Sequence, residues 1–296
     1  MPSPAAPPAP ASLTPDEATR TGWHGTLQLN YQHERGRSVA RFAHNGPLRV
    51  LQSLYPEGDA VCHNVLVHPP GGLVGGDVLE IGVHVGARAH GLVTTPGATR
   101  YYRTARGQAR QSVRVRLDEG SRLEWLPLET LAYNQCDGIN EAVFDLAPGA
   151  ELMAWDLTAL GLPTADQPFK QGRLLQHVEV QGAWLERGLI DASDARLLDG
   201  PVGLAGHRCL GTLILASGND WTVAQRDAAL ELAREVLAQA PNDVIAGVTA
   251  AHPRVIVLRT LSALVEPSQT LLRAVWAAWR KGVWQMGDAP PRIWAM

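Results

Sequence analysis

The sequence predicts a mainly β protein: a body of stacked antiparallel hairpins, solenoid-like or β-helix-like, with two amphipathic helices in its C-terminal third. Three observations carry this. Residues 22–200 alternate apolar and polar side chains with period two. A plan of strand, glycine turn and strand recurs about every thirty residues. After about residue 205 the period changes and helix signals appear.

The strands are legible one by one. "VLEIGVHV" (Val78 to Val85), "QSVRVRL" (Gln111 to Leu117), "AVFDL" (Ala142 to Leu146) and "RLLQHVEV" (Arg173 to Val180) alternate cleanly. Turn residues punctuate them at Pro56 to Asp59, Asp118 to Gly120, Ala147 to Gly149 and Gln181-Gly182. The segments "VHVGARAHGLVTT", "VRLDEGSRLEWLPLET" and "FDLAPGAELMAWDLT" share one plan, and Gly86, Gly120 and Gly149 mark its turns. Stacked hairpins of a solenoid fit that spacing, although any antiparallel β protein repeats hairpins. "CLGTLILAS" (Cys209 to Ser217) is a further strand. Thr222 to Ala240 reads as a helix capped by Thr222 and stopped by Pro241-Asn242-Asp243. "DVIAGVTAA" and "RVIVLRTLS" form a strand pair turning at His252-Pro253. Pro267 to Trp284 reads as a second helix with Ser268 as N-cap.

Residues 1–21, rich in Pro and Ala, are expected to form a disordered tail. Residues 22–296 are expected to form a single domain, β-rich over 22–205 and α/β over 206–296. The tail lacks a basic start followed by an apolar run, so it is no secretory signal, and the cytoplasm is the expected location. No stretch reaches the roughly 18 apolar residues of a membrane span. A net charge of −3 with scattered basic residues gives no nucleic-acid footprint. The three cysteines, Cys62, Cys136 and Cys209, are far apart and exclude both a disulfide framework and an all-cysteine zinc site.

Three stretches could carry chemistry. "HPPGGLVGGD" (His68 to Asp77) spaces Gly71 and Gly76 as a P-loop does. Asp77 follows where lysine should stand, however, and a strand follows where a helix should. A phosphate cradle is therefore rejected. Two readings remain: a metal site using His68 and Asp77, or a glycine turn in which Asp77 binds backbone amides. "LVTTPGATRYYRT" (Leu92 to Thr104) carries Tyr101, Tyr102 and Arg103, residue types that favour interfaces but that also serve as core tyrosines beside solvated arginines. "LEWLPLETLAY" (Leu123 to Tyr133) places Glu124 and Glu129 in an apolar run. If Glu129 points inward, it must be paired, protonated or ligating a cation. No Gly-x-Ser-x-Gly occurs, so a hydrolase lacks its nucleophile motif. Trp276, Trp279, Trp284 and Trp294 are read as core rather than as an exposed partner site.

Taken in order, "HPPGGLVGGD", "TTPGATRYYR" and "LEWLPLET" resemble the urease accessory protein UreD family, called UreH in some organisms. The likeness continues through "DLAPGAELMAWDLTALGLP" and "GRLLQHVEV". It implies a β-rich, solenoid-like fold and a role that is not enzymatic. With UreF and the GTPase UreG, such a protein docks on the urease apoprotein and supports insertion of nickel, proposed to travel through an internal tunnel. Gly71, Gly72, Gly75, Gly76 and Asp77 match the first motif, Thr94 to Thr99 the second, and Pro127 and Glu129 the third. Leu162 follows Gly161 where many members carry arginine. The expected metal contacts are His68, Asp77 and Glu129. The expected partner contacts are Tyr101, Tyr102 and Arg103. No cofactor is expected to bind tightly, and nickel only in transit. A pure scaffold that never touches metal, and a small hydrolase on a β scaffold, are the competing readings.

Overall fold

The computed structural model describes residues 22–287 and 289–295, so the segment expected to be a disordered tail lies outside the described residues. The chain opens with the antiparallel pair β1 (His24–Glu34) and β2 (Arg37–Asn45), then β3 (Arg49–Leu54). About four coils follow. The first runs through β4 (Cys62–Val67), β5 (Gly72–Leu73) and β6 (Val78–Val85). The second is β7 (His90–Thr94), β8 (Thr99–Tyr101) and β9 (Ala109–Leu117). The third is β10 (Arg122–Leu126), β11 (Thr130–Ala132) and β12 (Cys136–Leu146). The fourth is β13 (Glu151–Leu162), β14 (Gln167–Pro168) and β15 (Gly172–Val180). The chain then forms β16 (Trp184–Asp191), α1 (Ala195–Asp199), β17 (Cys209–Ser217), α2 (Val223–Leu237), β18 (Val244–His252), β19 (Val255–Ser262) and α3 (Val265–Gly282).

Equivalent strands of successive coils pair in parallel. The first sheet has the order β16-β15-β12-β9-β6-β1-β2, and the second runs β18-β19-β17-β13-β10-β7-β4-β3. The solenoid is thus as expected, with one change inside it. The strands on either side of each glycine turn belong to different sheets and do not pair as a hairpin. Backbone bonding explains this. Each turn closes on itself, with Ser121 N–H donating to Asp118 O and Ala150 N–H to Ala147 O. Its other amides reach the coil before, Asp118 N–H to Val85 O and Ala147 N–H to Leu117 O. Polar groups that a hairpin would pair within itself are satisfied coil to coil.

The repeat also registers differently. Gly120 and Gly149 sit at φ 65° and 74°, and the matching place in the coil before is held by Arg88 at φ 64°. Gly86 stands two residues earlier. The left-handed conformation recurs in all three turns, and glycine supplies it without strain in two of them.

Alternation along the strands divides two apolar layers. Leu123, Leu152, Ala154 and Val113 face the space between the sheets. Met153, Trp155, Leu213 and Leu258 face the other way, under α2 and α3. Helix α2 starts where the sequence says. Thr222 Oγ1 accepts from Gln225 N–H, and Gln225 Oε1 accepts from Thr222 N–H, a complete capping box. Helix α3 begins earlier than expected. Its N-cap is Leu264, and Pro267 lies in the first turn, where its missing N–H costs nothing. Ser268 is therefore not a cap. It is buried inside the helix, with its hydroxyl 2.7 Å from that of Ser262. The tryptophans at helical spacing are core: Trp276, Trp279 and Trp284 are buried, and Trp294 half-buried. No helix of the described residues is long and apolar enough to cross a membrane.

Candidate functional site

The three sequence motifs occupy one place in the fold. Each forms the corner at which a coil leaves the second sheet for its short strand: residues 68–71, 95–98 and 127–129. Pairing stops along these corners. Strands β7 and β10 pair as far as Thr94↔Leu126, and β8 and β11 resume at Thr99↔Thr130. The result is a seam down the wall of the solenoid, stitched by single bonds. Leu128 N–H donates to Thr95 Oγ1 at 2.8 Å, and Thr99 N–H to Glu129 O at 2.9 Å.

Behind the seam lies free space between the sheets. An outer chamber of about 270 Å³, partly open to solvent, is lined by His68, Pro69, Gly71, Thr95, Gly97 and Arg100. An inner chamber of about 30 Å³, room for about one water molecule, is lined by Asn140, Asp156, Thr212, Phe144 and Val178. The two share Thr99, Gln111, Trp125 and Pro127. They adjoin along the solenoid axis, from the first two corners toward the last coil.

Asp156 is the charged group of the inner chamber. Its Oδ1 accepts from Thr158 Oγ1 at 3.0 Å and Gln176 Nε2 at 2.9 Å, and its Oδ2 from Asn140 Nδ2 at 2.8 Å. Burial pushes its carboxyl up to about 6, with the charge of Glu186 adding to the rise while the Thr158 and Asn140 hydrogen bonds oppose it. Glu186 lies one strand further on, 2.6 Å from Arg259 Nη1 through one oxygen, its other oxygen buried without a hydrogen-bond partner. The groups around the carboxylate are two amide N–H donors and a hydroxyl, so a divalent cation resting on it would have to displace some of them and would be held weakly enough to be released.

The sequence-derived candidates separate here. Asp77 braces the fold: its Oδ1 accepts from Trp23 N–H at 2.8 Å and its Oδ2 from Val74 N–H at 2.9 Å. That is the glycine-turn reading of the opening motif, and both carboxylate oxygens are engaged in it. His68 lines the outer chamber, where burial pulls its imidazole below the ordinary value and the Asp77 charge opposes. Neutral imidazole offers a nitrogen lone pair. Glu129 stands on the helix side of the second sheet, within electrostatic reach of Arg273 and Cys209. The three do not converge, and no group of three or more His, Cys, Asp or Glu placed to hold a metal occurs among the described residues.

The expected partner contacts also divide. Tyr101 is core. It is fully buried, packs against Gly138, and donates to Ile139 O at 2.8 Å. Burial raises its phenol far above the ordinary value. It presents no surface, because β8 alternates and residue 101 points inward. Tyr102 is half-buried, edge-on to Tyr133 at 5.0 Å, and Arg103 is exposed.

Sequence reasoning missed a buried charged cluster between the second sheet and α3. Glu124 is 0% exposed and accepts from His90 Nε2 at 2.9 Å and from Trp276 Nε1 at 2.6 Å. Glu57 accepts from His63 Nε2 at 2.7 Å and from Arg280 Nη2 at 2.6 Å. Burial works against ionising Glu57, but the hydrogen bonds from His63 and Arg280 outweigh it and hold its carboxyl below the ordinary range. Arg280, itself fully buried, lies between the two carboxylates, with Nε 3.5 Å from Glu124 Oε2. The signal was present in Glu124 within an apolar run, but its partners lie as far as 152 residues away.

Comparison with known proteins gives the family. The model of the UreD urease accessory protein family matches residues 24–295. The chain is 55% identical to the urease accessory protein UreD of Variovorax paradoxus over 273 residues, 92% of this chain and 99% of that protein. It is 56% identical to that of Albidiferax ferrireducens over 93% of this chain and 99% of that protein, and 48% identical to that of Methylibium petroleiphilum over 92% and 99%. The chain belongs to the UreD urease accessory protein family.

Proposed function

We propose that this chain is a urease maturation factor that conducts nickel. Membership of the family implies an accessory role in urease maturation, which fits a protein that is not an enzyme. The finer reading has it join UreF and the GTPase UreG, dock on the urease apoprotein, and pass the ion through its interior. One observation carries the conduit: the inner chamber between the sheets ends on Asp156, a carboxylate inside the solenoid whose hydrogen-bond partners, Thr158, Gln176 and Asn140, are all neutral. A residue kept ionisable inside an apolar core costs stability, and such costs cluster at functional sites. Charge along the passage is graded. Arg100 lines the outer chamber, while Asp156 and Glu186 stand at the inner end, so the field favours a cation at the inner end. Tyr102 and Arg103 are the surface residues offered to a partner.

The absence of a converging ligand set among the described residues gives the scaffold reading its one support. The same fact fits transfer, because a tight cage would trap the ion. Measuring urease activity and nickel per urease in cells carrying the whole urease cluster, with and without this gene, tests the maturation role. Inactive, nickel-poor urease without the gene, restored by it, is the expected result. Unchanged activity and nickel content would refute it.

A further inference from the structure

The seam has a second gap, and it is shut. Strand β13 runs straight from Glu151 to Leu162 without a corner, while its neighbour turns at 127–129. Pairing of β10 with β13 ends at Trp125↔Ala154, and pairing of β11 with β13 resumes at Thr130↔Thr158. Between them Trp155, Asp156 and Leu157 face Leu126 to Glu129 with no ladder. The inner chamber touches Trp155, Asp156 and Leu157 on one rim and Pro127, Leu128 and Thr130 on the other. Consecutive residues of a strand point to opposite faces. A cavity that touches all three therefore reaches the unpaired backbone of the gap itself.

The closure is made of tryptophan. Trp155 Nε1 donates to Pro127 O at 2.5 Å, spanning the gap from rim to rim. The indole of Trp294, in the C-terminal turn Arg292–Ala295, lies on Trp155 with ring centres 5.2 Å apart. Its Nε1 donates to Thr94 Oγ1 at 2.9 Å, at the edge of the neighbouring corner. Trp276 packs edge-on to Trp294 at 5.3 Å, and the Arg273 guanidinium covers its face at 4.7 Å. Residues 289–295 thus form a strap anchored on the rim of the gap. Carboxylates stand on both sides of it: Asp156 within, and Glu129 on the helix side near Arg273.

We propose that the gap between Pro127–Glu129 and Trp155–Leu157 is a second opening of the passage for a divalent cation, latched by Trp155 and covered by the C-terminal strap that ends in Trp294. The cation rests on the conduit reading above; the opening does not. Displacing the strap exposes Trp155, and breaking its bond to Pro127 opens the inner chamber toward Glu129. Among the described residues the latch is held by two hydrogen bonds, Trp155 to Pro127 and Trp294 to Thr94, by ring contacts and by the Arg273 guanidinium, a closure weak enough to be reversed.

A thiol introduced by T212C, in the inner chamber wall, reports access. Its reaction rate with a small charged thiol reagent is measured in the purified full-length chain, after subtracting the background from the three native cysteines. The measurement is repeated with W294A and, separately, with W155F, which keeps an aromatic ring while removing the donor and the pyrrole part of the indole. Each added change is expected to speed labelling about tenfold, the effect of losing one net hydrogen bond's worth of closure. Thermal melts identify a variant that has unfolded, and W155F decides the matter if W294A does not fold. Equal rates in T212C and the folded double variants overturn the second opening, whatever becomes of the maturation role. A gene deletion without effect on urease overturns the maturation role and leaves the labelling result standing.

Discussion

Replacing Asp156 by asparagine should make the protein more stable and less useful. Asp156 lies half-buried inside the solenoid, and desolvation there pushes its carboxyl from an ordinary 3.8 up to about 6. The native state then holds this proton more tightly than the unfolded chain does. Its contribution is most favourable below about pH 4 and is lost as pH rises through about 6. At about 1.4 kcal/mol per pH unit, the loss is roughly 3 kcal/mol at neutral pH. D156N removes the titration while keeping the shape. It spoils one hydrogen bond, because Thr158, Gln176 and Asn140 all donate to the carboxylate and an amide presents only one acceptor, at a cost of about 1 kcal/mol. The variant should be about 2 kcal/mol more stable than the native chain at pH 7.5 and about 1 kcal/mol less stable at pH 4. Urea unfolding at the two pH values reads both. The same variant should lower nickel per urease in cells carrying the whole cluster. A stability difference that is the same at both pH values would refute the burial argument. Normal nickel content in a stabilised variant would refute Asp156 as a stopping point for the ion.

Glu129→Ala should keep the fold and lower nickel loading, since the carboxylate is only half-buried; normal nickel content in the mature urease would sink this. Asp77→Ala should cost about 2–4 kcal/mol in a denaturant melt, because it strands the Trp23 and Val74 amides that the carboxylate accepts from; a fully stable variant that fails to activate urease would return Asp77 to the conduit. Arg280→Met should cost about 3–5 kcal/mol by leaving Glu57 and Glu124 buried without their cation, and the loss should shrink when the melt is repeated at acid pH, where the carboxylates are neutral. Arg88→Gly should stabilise by about 1 kcal/mol, since it relieves a left-handed residue at the turn where Gly120 and Gly149 already stand; a drop in melting temperature would show that the Arg88 side chain matters more than its backbone.

How much of this the sequence carries depends on the range of the interaction. Strands Val78–Val85 and Cys209–Ser217 read directly because alternation is local: each residue reports its own face. The Thr222 cap reads because its partner is three residues on. Ser268 misled because a serine after a proline imitates a cap, whereas here the helix absorbs the proline and buries the serine. Hairpins were expected because a glycine turn between two alternating strands looks the same whether the strands pair with each other or with the next coil. Bonds such as those from Asp118 to Val85 and from Ala147 to Leu117 distinguish these, and they join residues about thirty apart.

The site is harder for the same reason. Glycine and proline motifs mark backbone geometry, so they pointed to the corners, where Gly71 and Pro127 shape the seam, and named Asp77 because it sits in the motif. Asp156 sits in "AWDLT", an alternating strand with no motif, and nothing local says that its neighbours leave a chamber there. Its meaning comes from Asn140 and Gln176, which belong to two other strands of the opposite sheet. In a solenoid, each coil contributes one corner and one inward row. The chambers are therefore a property of the stack and not of any segment. A motif search finds the frame of the opening, and the ionisable group that gives the opening a chemistry becomes visible only when the coils are laid on one another.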